Sequence, residues 1–272
     1  MHSQNLPQEI IHKIVEIITQ QLGTCTVYLL NSRISNHSLA NFQVNTDTVS
    51  PYYCCILVLT KNNSAITASN LANTIAEQSA RTIFASILLH KLSDLNTKQS
   101  GLQHFFDKAI RNSQRLCLDK SAPPYIMSNT IPPRDFESDK TFWQKCVAVA
   151  QFNIQAAKES PQLEVELCKI ALLNTACTQI ALGLIRIGLG YIPNEFGLNY
   201  LLQLCTHFTT LPTQIFSQQT PLAAKRYKML CAPPSMLNHW TKLYAPEEDF
   251  LYLLDTTQQF LDQSYLFVTL SI

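Results

Sequence analysis

Two short clusters in this 272-residue chain have residue types suited to holding a phosphate. The first is Asn31, Ser32 and Arg33, directly after the apolar run Thr26–Leu30. A hydroxyl and a guanidinium at the end of a strand can contact a phosphate in a pocket. The second is Lys225, Arg226, Tyr227 and Lys228, shortly after Pro221. On a helix, Lys225 and Lys228 share a face, with Tyr227 nearby for stacking on RNA or a nucleotide. Each cluster also has a plainer reading, a structural turn for the first and a solvated helix face for the second. Trp143, Trp240 and Tyr244 can line a cleft, although aromatic residues at helical spacing usually belong to a core.

The remaining chemistry is marked by what is missing. The six glycines form no phosphate-binding loop, and Gly188 with Gly190 lack the third glycine and the preceding strand of a dinucleotide fingerprint. That pair reads as a helix ending. No G-x-S-x-G elbow occurs. The seven histidines never fall four apart, so no helical metal pair exists, and each reads as a surface or structural residue. Cys54 and Cys55 are adjacent in an apolar run that suits a strand, where successive side chains point to opposite faces. They cannot grip one metal from the same side. Neither metal nor cofactor is expected.

The nine cysteines are odd in number, lie mostly within apolar runs and form no C-x-x-C. They read as small buried hydrophobes in a reducing compartment. The N-terminus carries no signal-peptide pattern, and the apolar run Ala181–Ile192 is interrupted by Arg186. A cytoplasmic protein is therefore expected, with no membrane partner. Charged residues make up only 14% and net charge is +1, which argues against a broad DNA-binding surface.

Positioning these residues falls to two contrasting halves. Residues 1–120 read as α/β. Ile10, Ile11, Ile14, Ile17, Ile18 and Leu22 define a helix ended by Gly23, and Thr26–Leu30 is a strand. After a polar loop, Cys54–Thr60 suits a central strand covered on both faces. Ala68–Ala80 is helical, Thr82–Leu89 a third strand, Leu102–Ile110 another helix and Gln114–Leu118 a fourth strand. A Pro-rich linker spans 121–136, with Pro123, Pro124, Pro132 and Pro133. Residues 137–272 read as a helical bundle. One helix carries Trp143, Cys146, Ala150 and Ile154, and a longer one runs from Leu163 to Leu184. Asn194 is the expected cap of the helix bearing Leu198, Leu201, Leu202 and Cys205, and helices follow at Pro221–Cys231, Ser235–Tyr244 and from Glu247. The apolar, β-prone end Tyr265–Ile272 must dock on its own domain or on a second subunit.

The order of helix, strand, Asn31-Ser32-Arg33, polar loop and apolar strand resembles the minimal nucleotidyltransferase fold. In that family a Gly-Ser turn holds triphosphate, and the next strand opens with Asp-x-Asp, whose two carboxylates on one face bind the catalytic divalent ions. Ser32 stands at the family's serine, and Asn31 replaces the glycine. The acidic pair falls at Tyr53 and Cys55, and no acidic residue lies between Pro51 and Lys61. Tyrosine and cysteine cannot supply two hard oxygen donors to magnesium. The resemblance thus implies a pseudoenzyme with a vestigial nucleotide site at Asn31, Ser32, Arg33, Tyr53 and Cys55.

The helical half is similar to HEPN domains, which accompany such nucleotidyltransferase-like domains in fused chains of bacteria such as the Bacteroidetes. HEPN resemblance implies a homodimer through the helical domain. In such fused chains the resemblance also implies a Tyr-rich segment of basic and acidic residues before the last helix. Here Tyr244 to Asp249 and Phe250 keep the aromatic and acidic part only. Ribonuclease members carry Arg-x4–6-His, and neither Arg186 nor Arg226 has such a partner. The reading expected from the sequence is a non-catalytic binding or regulatory protein that takes a nucleotide or RNA. The alternatives are a divergent metal-dependent nucleotidyltransferase using loop carboxylates such as Asp47 and Asp94, or a purely structural interaction module.

Overall fold

The computed structural model describes residues 6–34, 51–96, 100–121, 130–160, 165–236 and 244–271. The chain divides into two compact units, Met1–Arg134 and Asp135–Ile272. Among the described residues the first is a four-stranded mixed sheet with helices and the second is helical.

In the first unit, α1 (Gln8–Leu22) buries Ile11, Ile14, Ile17 and Ile18 on one face. It stops at Gly23, whose φ of 71° with ψ of −138° is a conformation open to glycine alone. The strands are β1 (Cys25–Ile34), β2 (Tyr52–Thr60), β3 (Ile83–Lys91) and β4 (Gln114–Cys117), in the order β3-β2-β1-β4. β2 pairs antiparallel with β1 and parallel with β3. The parallel pair is joined by α2 (Ala68–Gln78), whose first turn is capped by Thr67, the side chain accepting from the Asn70 N–H at 3.1 Å. A short 3-10 helix (Leu92–Asn96) and α3 (Ser100–Asn112) lead into β4. Cys54 to Leu59 are all buried, so both faces of β2 are covered, as its unbroken apolar run requires. α1 and α2 pack on each other, while α3 sets Phe106 edge-on to His90 of β3 at 5.0 Å.

β1 is longer than its apolar run. Asn31, Ser32 and Arg33 do not form a turn but continue the strand, opposite Cys55, Cys54 and Tyr53 respectively. The pairing is kept by an irregularity between Leu29 and Asn31, which leaves Leu30 outside the register. Backbone pairing with the long β2 outweighs the polar composition that suggested a turn.

In the second unit, α4 (Phe136–Glu159) begins at Asp135, whose carboxylate accepts the Ser138 N–H at 3.0 Å. α5 (Glu166–Leu189) is the central helix. It is the one described helix long and apolar enough to cross a membrane, yet 67% of its apolar window is buried within the protein, as in a core helix. Arg186, which interrupts its apolar run, pairs with the buried Asp139 of α4. The two glycines at its end have separate jobs. Gly190 takes the left-handed cap, φ 68°, and Gly188 lets the Phe208 ring lie against the helix.

α6 (Leu198–Cys205) starts from Gly197 in extended backbone, so Asn194 is not its cap. α7 (Leu211–Ile215), α8 (Pro221–Leu230) and α9 (Glu247–Ser271) complete the unit. The helix expected over Ser235–Tyr244 falls mostly on 237–243, outside the described residues, as do Trp240, Leu163, Pro123 and Pro124. The apolar tail is helical, not β. Leu253, Thr257, Phe260, Leu261, Ser264 and Val268 form one buried stripe that carries helical periodicity as far as Val268, while Tyr265, Leu266 and Leu270 of the tail are exposed. That periodicity extends from a helix begun eighteen residues before the tail, and a short apolar window does not reveal it.

Candidate functional site

The five residues expected at a vestigial nucleotide site lie together where β1 ends and β2 begins. Register determines how they face. Arg33 is opposite Tyr53, and Tyr53 is opposite Phe84 of β3. These three stand side by side on one sheet face. The Arg33 guanidinium lies 5.1 Å from the Tyr53 ring centroid, and the Tyr53 and Phe84 rings stack at 5.3 Å with planes 17° apart. All three are half-buried. Burial lowers the Arg33 pKa from its usual value, with Tyr53 opposing the shift. Burial likewise raises the Tyr53 hydroxyl, with Arg33 opposing. The pair is therefore a cation against a neutral phenol ring at neutral pH.

The next row on that face holds Asn31, Cys55 and Ser86. Cys55 and Ser86 are buried, Asn31 half-buried. Ser32 points to the opposite face, since side chains alternate along a strand, and is 1% exposed. It pairs in register with Cys54 and is not beside Arg33 on the ladder face. Phe84, the end of the ladder, carries no motif in the sequence. Its signal was weak, an aromatic two residues into a strand, and only strand order brings it to Tyr53.

Asp94, offered as a metal-binding carboxylate, serves another purpose. Its Oδ2 accepts the Lys91 N–H at 3.1 Å and sits 3.4 Å from His90 Nδ1. Lys91 is the register partner of Thr60, six residues from Cys54 and hence about 20 Å along the sheet from Ser32. Asp94 therefore cannot join a metal site at Ser32. Asp47 lies outside the described residues. Among the described residues no three His, Cys, Asp or Glu side chains are grouped to hold a metal. Burial drives the His90 pKa down against the bond and charge of Asp94, which keeps the ring neutral near pH 7.

Burial pushes the thiols of Cys54 and Cys55 up to about 12, with Cys54 adding to the effect at Cys55, so neither is a nucleophile or ready metal ligand.

The basic cluster on α8 is largely engaged by α9. Asp249, fully buried, receives the Arg226 Nε–H at 2.6 Å and the Lys225 ammonium at 3.2 Å. Arg226 also lies 4.4 Å over the Tyr252 ring and 3.9 Å from Glu248. Tyr227 donates its hydroxyl to Asn199 Oδ1 at 2.8 Å and packs on Phe216. Lys228 is exposed. The acidic segment at the start of α9, which has no basic residue of its own, thus receives its cations from α8. Tyr244 is exposed, and Trp143 is buried 6.5 Å from the Tyr265 ring.

No family model, curated protein or solved structure matches this chain.

Proposed function

We propose that this chain is a non-catalytic nucleotide- or RNA-binding protein, organised like a nucleotidyltransferase–HEPN fusion, whose N-terminal unit takes a base on the Arg33–Tyr53–Phe84 ladder. The ladder is the observation that carries this reading. It runs across three strands and ends on β3, the edge of the sheet. Among the described residues no strand lies beyond Phe84 at that edge, so a planar ring can continue the stack there. Stacking of a base on such an aromatic contributes about 1–3 kcal/mol and tolerates sequence variation.

Cations suit the same end. Arg33 stands in the ladder, and the exposed Arg81 lies two residues before β3 begins, held at φ 60° after Ala80 at φ 50°. Two successive non-glycine residues in the left-handed region cost free energy and often mark functional segments. The absence of a carboxylate at Tyr53 and Cys55 supports binding without nucleotidyl transfer.

The test is titration of the full chain with mononucleotides and short single-stranded RNA, followed by tyrosine fluorescence or calorimetry. Phe84→Ala and Arg33→Ala should each weaken binding about tenfold. Lys228→Ala should leave it unchanged. Absence of binding by the wild type, or binding indifferent to Phe84→Ala, rejects the reading.

A further inference from the structure

α5 and α9 run parallel. Lys169 of α5 meets Phe250 of α9, Cys177 meets Thr257, and the Phe208 ring seated on Gly188 meets Phe267. Both helices therefore begin at the same end of the unit, and their N-termini, each equivalent to about half a positive charge, stand side by side. On α9 the buried Asp249 answers this charge, but both of its oxygens are taken, one by Arg226 and the other by Lys225. On α5, Val165 supplies no capping side chain, and the first backbone bond runs from the Lys169 N–H to the Val165 carbonyl. Among the described residues the N–H groups of Glu166, Leu167 and Cys168 have no acceptor. Two side chains belong to this end. Lys169 is 8% exposed, and its ammonium lies 5.3 Å over the Phe250 ring, between the first turns of the two helices. Among the described residues it makes no hydrogen bond and no ion pair, although an ammonium carries three donors. Glu166 is 9% exposed, lies three residues earlier on the same face and likewise has no partner. Glutamate and lysine at this spacing ordinarily pair. Here the lysine is drawn onto the ring and the two charges do not meet. Sheltering opposite charges at one helix end, with neither satisfied, is costly unless a polar group comes between them.

We propose that this end of the helical unit binds a small zwitterion of the α-amino-acid class. The ligand carboxylate takes the Lys169 ammonium and the free N–H groups of α5, and the ligand ammonium takes the Glu166 carboxylate. The charges select this class. A phosphate or other plain anion would suit Lys169 but also face Glu166, and a plain cation would meet the reverse conflict. A molecule carrying both charges on adjacent atoms satisfies both side chains at once. Asp249 does not compete for the ligand ammonium, because Arg226 and Lys225 already occupy its oxygens. Cys168, in the first turn of α5, is exposed, so this end of the helix is open to solvent. The proposal does not depend on base binding by the N-terminal unit.

Calorimetric titration of the full chain with each of the common α-amino acids tests it. At least one should bind with Kd below about 1 mM. Its N-acetyl derivative, which lacks the ammonium, and its amide, which lacks the carboxylate, should each bind at least about tenfold more weakly. Lys169→Met and Glu166→Gln keep the side-chain size and should each weaken binding of the parent amino acid at least about tenfold. Circular dichroism checks that each variant keeps its helices, and the two derivatives decide the matter on the wild-type chain if a variant does not. Failure of every amino acid to bind overturns the proposal. So does an N-acetyl derivative that binds as well as its parent, which marks a plain anion site, or binding that either folded variant retains in full.

Discussion

Replacing Arg226 by methionine separates a structural role for the α8 cations from a ligand-binding one. Asp249 is fully buried, and its carboxylate is held by Arg226 at 2.6 Å and Lys225 at 3.2 Å. The two cations differ in what surrounds them, since the side chain of Arg226 is 14% exposed and that of Lys225 is 56% exposed. Losing the sheltered partner leaves a buried carboxylate with one solvent-screened lysine. Breaking a buried pair from one side costs about 3–5 kcal/mol, and the remaining lysine offsets part of that, so about 3 kcal/mol is expected. Removing Lys225 removes a screened contact and should cost about 0.5 kcal/mol. For a unit of this size 3 kcal/mol lowers Tm by about 10 °C. Thermal and urea unfolding of Arg226→Met, Lys225→Met and the double variant Arg226→Met/Asp249→Leu measure this. The double variant should recover most of the loss, because it removes the unpaired charge along with its partner. The pH dependence supplies a second check. Burial raises the Asp249 pKa, but the hydrogen bonds and charges of Arg226 and Lys225 outweigh it and hold it below the ordinary value. The unfolded chain therefore takes up the proton first, and the stabilisation is complete above about pH 4 and lost as pH falls through the depressed pKa. The double variant should lack this loss. Arg226→Met within 1 kcal/mol of wild type (~1 kcal/mol being the spread of ordinary surface changes), or Lys225→Met as damaging as Arg226→Met, would refute the reasoning.

Other outcomes follow from the same geometry. Gly183→Ala places a Cβ into the buried Trp143 indole, so overpacking should exceed the gain in helix propensity, with a net loss of about 1–2 kcal/mol and a shifted tryptophan emission. His90 is buried with a lowered pKa, so the unfolded state binds its proton first and stability should fall as pH drops below about 6.5; His90→Gln should flatten that slope in urea titrations at pH 5–7 (about the range where histidine titrates). Native-state reaction with a thiol reagent should label Cys168 quickly, the one exposed cysteine, while Cys54 and Cys55 react only on unfolding; fast labelling of Cys55 would contradict its burial.

The legibility of the fold varied with how local its causes are. α1, α4 and α5 were readable because each repeats an apolar residue at helical spacing over many turns, and β2 because it is apolar without interruption. Errors arose where a neighbour decides. Asn31, Ser32 and Arg33 look like a turn by composition, yet pairing with β2 draws them into a strand. Tyr265 to Ser271 look β-prone alone, yet they extend a helix whose buried stripe was set earlier. Asn194 has a good capping side chain, but α6 begins from Gly197. Lys225 and Arg226 read as free cations because nothing local announces Asp249, which lies more than twenty residues away on α9.

Composition and periodicity by themselves determined that this chain has an α/β part followed by a helical part, and that no acidic pair follows the first strand. Such features are sums over neighbours in the chain, which sequence reports directly. Tertiary structure alone decided what the remaining side chains do. Strand register turned Arg33 and Tyr53 toward Phe84 while sending Ser32 to the other face. Helix packing engaged Lys225 and Arg226 with a buried carboxylate. Each is a contact between residues far apart in sequence, and the burial that sets its energy exists only once the chain has folded.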